Sequence, residues 1–174
     1  MALPDEDILV RAARPTEAEA IARVHSESWR GGYRNILPNE LLARPLSLLQ
    51  EQWSEWLRPD DVDLGVLVAE RGGNVVGVAL YECRENDHPE LRILYVHPSA
   101  WRSGVGRSLV EAVVDELEKC GAAYAVVWTF AENVRGRRFY EAVGWSLDGE
   151  GEWEAIRTVR YRRQLEPKRR GRDG

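Results

Sequence analysis

Apolar positions recur along this chain with two different periods, and the switches between them mark out its elements. Residues 8–13 read as a short strand, stopped at Arg14-Pro15 because proline brings no N–H to a ladder. Helical spacing follows at Ala18, Ile21, Ala22, His25 and Trp29, with Thr16 and Glu19 placed as a capping box and Gly31-Gly32 closing the helix. A second helical stretch over residues 38–57 carries Leu41, Leu42, Leu48, Leu49, Trp53 and Trp56, and Pro45 must break or kink it. Residues 64–70 and 75–84 flank Gly72-Gly73-Asn74 as a hairpin. After a polar loop at 85–89, residues 91–96 form a third strand of that group, halted by His97-Pro98. From 104 to 120, Val105, Leu109, Ala112, Val113, Leu117 and Cys120 keep helical spacing, and Gly121 stands where helices commonly close. Residues 123–130 then read as a strand, 134–142 as a short helix closed by Gly144, and 158–165 as the last of two final strands. The order β-α-α-β-β-β-α-β-α-β-β predicts a mixed α/β domain with one parallel strand–helix–strand crossover.

Composition narrows this picture without changing it. At 174 residues, 44% hydrophobic and 30% charged, the chain suits one well-buried domain, expected over residues 1–166. No stretch approaches the roughly 18 apolar residues of a membrane span, and the acidic start predicts a cytoplasmic protein without a secretory signal. Cys83 and Cys120 stand in unlike contexts and read as packing thiols, with no disulfide framework and no metal site expected. His25 and His88 have no spacing that suggests metal ligation or a triad. The net charge of −5 is uneven: eight basic residues stand against two acidic ones from Arg157 onward, which leaves −11 on the first 156 residues. An acidic body disfavours nucleic acid and suits a cationic acceptor, and residues 167–174 read as a disordered basic tail. RNA binding through that tail is the weaker alternative.

Candidate chemistry gathers at Ser103-Gly104-Val105-Gly106, between a strand and a strong helix. Free N–H groups and the positive helix end there suit a pyrophosphate, with Arg102 and Arg107 adding charge and Ser108 a hydroxyl. The third glycine of a dinucleotide fingerprint is missing, since position 109 is Leu, and no Walker A sequence is present. Alone, such a turn is more often tight packing than a ligand site.

Taken with its surroundings, the turn resembles the acetyl-CoA signature of the GNAT family of N-acetyltransferases, preceded as it is by Glu90-Leu91-Arg92-Ile93-Leu94-Tyr95-Val96-His97-Pro98. Asn133 followed by Phe139-Tyr140-Glu141 and Gly144-Trp145 resembles the second family motif, residues 25–33 the first-helix segment, and Arg160-Tyr161-Arg162-Arg163 a common last strand. The resemblance covers roughly residues 8–165 and implies a single GNAT-type α/β (α+β) domain, its mixed sheet of about six to seven strands flanked by about four helices. One departure stands out: Trp101 occupies the place of the usual Gln or Arg of the turn.

The resemblance implies direct transfer of an acetyl group from acetyl-CoA to a primary amine of a small molecule or protein, without metal, nucleic acid or membrane. It casts Tyr140 as the acid that protonates the leaving thiolate and Glu90 as a base acting through water, with Glu82, His97 and Glu27 as weaker candidates for the base. Main-chain groups of Leu94, Tyr95 and Val96 would pair with the pantetheine arm, Asn133 would hydrogen-bond it, and residues 102–108 would hold the phosphates. Trp29, Tyr33, Glu82 and Trp128 are candidates for the acceptor site, although core packing explains most tryptophans equally well. A non-catalytic acyl-CoA sensor is the alternative on the same fold, and both monomer and homodimer stay open.

Overall fold

A computed structural model describes residues 7–58, 60, 63–84 and 89–166. The loop residues 85–88, His88 among them, and the expected tail at 167–174 lie outside the described residues. Seven strands form one sheet: β1 (Leu9–Ala12), β2 (Leu64–Arg71), β3 (Asn74–Glu82), β4 (Glu90–Val96), β5 (Tyr124–Phe130), β6 (Ser146–Trp153) and β7 (Ile156–Gln164). Their order across the sheet is β1-β2-β3-β4-β5-β7-β6, antiparallel throughout except for the β4–β5 pair. The helices are α1 (Ala18–Gly32), α2 (Asn39–Leu42), α3 (Leu46–Trp56), α4 (Val105–Lys119) and α5 (Val134–Ala142). Pro45 therefore separates two helices, α2 and α3, and does not merely kink one.

Strand alternation sorts the side chains into two cores. Val66, Val68, Val78 and Leu80 pack against α1 and α3 through Ile21, Ala22, Leu49 and Trp53. Their neighbours Leu67, Ala69 and Ala79 face the other way, with Ala125, Val127 and Tyr161, onto Val105, Leu109, Val113 and Leu117 of α4. The first of these layers draws on β2, β3 and β4. On that side, by alternation, Tyr124 and Trp128 of β5 share a face with Arg160 and Arg162 of β7, and Trp128 remains 38% exposed. Gly151 of β6 makes room for its ring, since a Cβ there would come within 2.8 Å of it.

Two sequence expectations need correction. The α1 capping box does not involve Thr16 and Glu19: residues 15–17 form a short 3-10 turn, and Glu17 accepts from the Arg14 N–H at 2.7 Å. Glu17 is drawn there by Arg11, which bridges it to Glu70 of β2, while Glu19 pairs with Arg23. Cys83 and Cys120 are not separate packing thiols but a disulfide that joins the end of β3 to the end of α4. Their unlike sequence contexts hid a pairing that only the layering of α4 on β3 creates.

Candidate active site

The turn before α4 takes its shape from two left-handed residues. Arg102 has φ 60° and Gly104 φ 87°, the latter in the place that caps the helix. Ser103 between them is held from both sides: its hydroxyl donates to Ala100 O at 2.7 Å and accepts from Arg71 at 3.0 Å. The Ser108 N–H is spent on Gly104 O at 2.9 Å, so the first-turn N–H groups of Val105, Gly106 and Arg107 are left for an anion. The side chain of Val105 points into the core.

Beside this turn the sheet opens. β4 and β5 pair at Glu90↔Val126 and Leu91↔Val127, and their register ends there among the described residues. A register shift against β3 leaves Arg92 as the extra residue of a bulge, which bends β4 away. Because the His97 N–H donates to Val76 O on β3, alternation turns the main chain of Tyr95 to β3 as well, and that of Leu94 and Val96 to the open edge. Of the three strand residues expected to meet a pantetheine arm, then, two offer main-chain groups to the cleft. The Tyr95 ring lies in the α1 layer, stacked 4.5 Å from His25.

Turn and open edge enclose a cavity of about 710 Å³. Its lining includes Arg102, Arg107 and Arg135 and no carboxylate among the described residues. Tyr33, Phe139 and Tyr140 supply its aromatic wall. Burial pushes the Tyr140 phenol well above the ordinary tyrosine range, with Tyr33 and Tyr95 nearby adding to the effect, so it stays protonated. Burial likewise pushes Tyr33 up to about 12, against a smaller opposing influence from Arg135. Asn133 caps α5, accepting from the Gly136 N–H at 3.0 Å and donating to Thr129 at 3.1 Å. Its amide keeps one further N–H, and the residue also lines the cavity.

The remaining candidates are more scattered. Glu90 stands at the start of β4, opposite Glu82 and Val126 and outside the cavity lining. Glu82 is ion-paired to Arg84 and Arg92. Glu27 meets Arg30 on the surface of α1, and His97 accepts from the Ser99 N–H as the cap of the turn that follows it. Trp29 packs edge-on to Tyr33 and Tyr95 behind the cavity, whereas Trp128 sits on the open face of β5. From Tyr33 an aromatic path leads outward, through Phe130 at 5.2 Å to Trp153 at 5.7 Å from Phe130. Sequence reading missed Arg135 and Phe139. The only signal for either was its place inside the second motif.

Comparison with known proteins bears on the family and the fold. The sequence model of the acetyltransferase (GNAT) family matches residues 20–145. A probable N-acetyltransferase of Mycobacterium tuberculosis is 27% identical over 157 residues, 82% of either chain. An L-amino acid N-acyltransferase of Escherichia coli is 31% identical over 146 residues, 81% of either chain. Among solved structures, an N-acetyltransferase of Thermoplasma acidophilum in complex with coenzyme A superposes with a TM-score of 0.78 at 19% identity, over 91% of this chain and 99% of that one.

Proposed function

The chain belongs to the acetyltransferase (GNAT) family and is an acetyl-CoA-dependent N-acetyltransferase, and from that premise we propose that it acetylates a primary amine on a small molecule or protein, with Tyr140 as the general acid. The observation that carries this reading is a protonated, buried phenol lining the cavity at the open edge of β4.

Bound acetyl-CoA supplies an activated acetyl thioester. The first-turn N–H groups of α4, with Arg102 and Arg107, suit its phosphates, and the main-chain groups of Leu94 with the N–H of Val96 suit its amide-bearing arm as an added strand would. Asn133 can turn its remaining N–H to the same arm. Tyr140 then hands its proton to the departing sulfur, and its raised pKa keeps that proton available across the neutral and alkaline range where an amine is reactive. Glu90, outside the cavity lining, is assigned the proton of the attacking amine, which it reaches through water and not by direct contact. The amine enters along the aromatic path of Tyr33, Phe130 and Trp153, whose ring faces suit an ammonium group. Amino-acid amines come first among acceptors to test, given the E. coli relative.

A coenzyme-dependent acetylation screen over amino acids, polyamines, aminoglycosides and N-terminal peptides identifies the acceptor. On the best acceptor, Tyr140→Phe is expected to lower kcat about 100-fold with coenzyme affinity near wild type, and Glu90→Gln to lower kcat/KM by a similar factor. Wild-type turnover in both variants would remove these assignments.

A further inference from the structure

Arg135 is a cation with no role in the family motif, yet it occupies a built position in the cavity. Its guanidinium lies 3.5 Å from the centroid of the Trp101 ring. Trp101 in turn is fixed at its edge, where Nε1–H donates to Val96 O at 2.8 Å, the carbonyl on the open side of β4. The end of α1 closes over both groups. A Cβ on Gly31 would come within 2.9 Å of the indole, and one on Gly32 within 2.9 Å of an Arg135 nitrogen, so this glycine pair is what lets the stack form beneath the helix. Trp101 thus acts as a platform that carries a charge from α5 to the cavity, which Arg102 of the turn also lines.

We propose that Arg135, held against Trp101, is a phosphate-binding cation of the coenzyme site and supplies a phosphate contact that Trp101, standing where the family has Gln or Arg, cannot make itself. The inference rests on coenzyme binding in this cavity. Arg102, Arg107 and Arg135 line one cavity with no carboxylate among the described residues of its lining, and such cations repel one another until an anion lies between them. Burial lowers the Arg135 pKa, against a smaller raising influence from Tyr33, and the nearby Arg102 lowers it by less than either. A planar guanidinium stacked on an indole is pre-oriented for phosphate oxygens, which a flexible lysine would not be.

The test is calorimetric, with CoA, 3′-dephospho-CoA and phosphate-free pantetheine as ligands. Arg135→Ala and Arg135→Gln should weaken CoA binding by about tenfold or more, reduce its salt dependence, and leave pantetheine binding unchanged. An equal loss with dephospho-CoA assigns Arg135 to the pyrophosphate, and a loss confined to CoA assigns it to the 3′-phosphate; both support the proposal. Trp101→Leu should weaken CoA in the same direction, and the double variant should be no weaker than Arg135→Ala. Unchanged CoA affinity in both Arg135 variants, or an equal loss with pantetheine, overturns it. Wild-type protein that bound no CoA would instead sink the cofactor site itself.

Discussion

At the scale of single residues, Gly104 shows conformation and charge acting together. With φ at 87° it holds a backbone that an L side chain adopts only under strain, although a Cβ there would meet nothing closer than Ile8 at 3.7 Å. Space is therefore not the obstacle. Gly104→Ala is expected to cost about 1 kcal/mol of stability while binding survives. Gly104→Glu should abolish CoA binding in calorimetry, because it sets a carboxylate at the first-turn N–H groups of α4; unchanged binding would take the turn out of the mechanism. Arg135 teaches the complementary lesson. In sequence it is one more arginine in a basic stretch, and only its stacking on Trp101 separates it from a solvated side chain.

Between elements, the contact of α1 with α3 turns on His25. Its Nδ1 accepts from Trp53 Nε1 at 3.2 Å, so the ring is neutral with its proton on Nε2, and burial lowers its pKa to about 3. The unfolded chain takes up this proton near pH 6.5 and the folded one only near 3, so stability is full above 6.5 and falls as pH drops through that window, by at most about 1.4 kcal/mol per unit. Thermal melts of His25→Gln between pH 7 and 4 should therefore decline less steeply than those of wild type, and parallel curves would show that His25 does not contribute. This burial was only half legible, since helical spacing put His25 on the apolar face of α1 but could not name Trp53 as its partner. Elements with a buried stripe were read well: α5 was expected at residues 134–142 and found there, and α4 and β5 were each expected within one residue of their observed ends. β6 was required by the order of elements but had no readable bounds, because every one of its residues except Gly149 is exposed and alternation therefore leaves no mark. The direction of the Tyr95 main chain depends on the bulge at Arg92, which no pattern of side chains announces.

Across the whole molecule, the Cys83–Cys120 disulfide joins two elements 37 residues apart in sequence. Closing a loop of that length stabilises a fold by about 4 kcal/mol on the chain-entropy account. Cys120→Ser, or a strong reductant, should therefore lower Tm by about 10 °C and leave CoA affinity unchanged, since neither cysteine lines the cavity. An unchanged Tm would show that the pair is not bonded in solution. Glutathione opens most such pairs in a reducing compartment, so the redox conditions of any stability measurement must be fixed. No described helix is long and apolar enough to cross a membrane. The divergence of β4 from β5 also acts at this scale. Two strands that part leave a gap in the ladder, and a ligand that fills it repairs the sheet's hydrogen bonding while binding the folded state alone. By mass action, coenzyme in the surroundings becomes part of what keeps the protein folded, so abundance in a cell can follow the acetyl-CoA supply even when no acceptor is present.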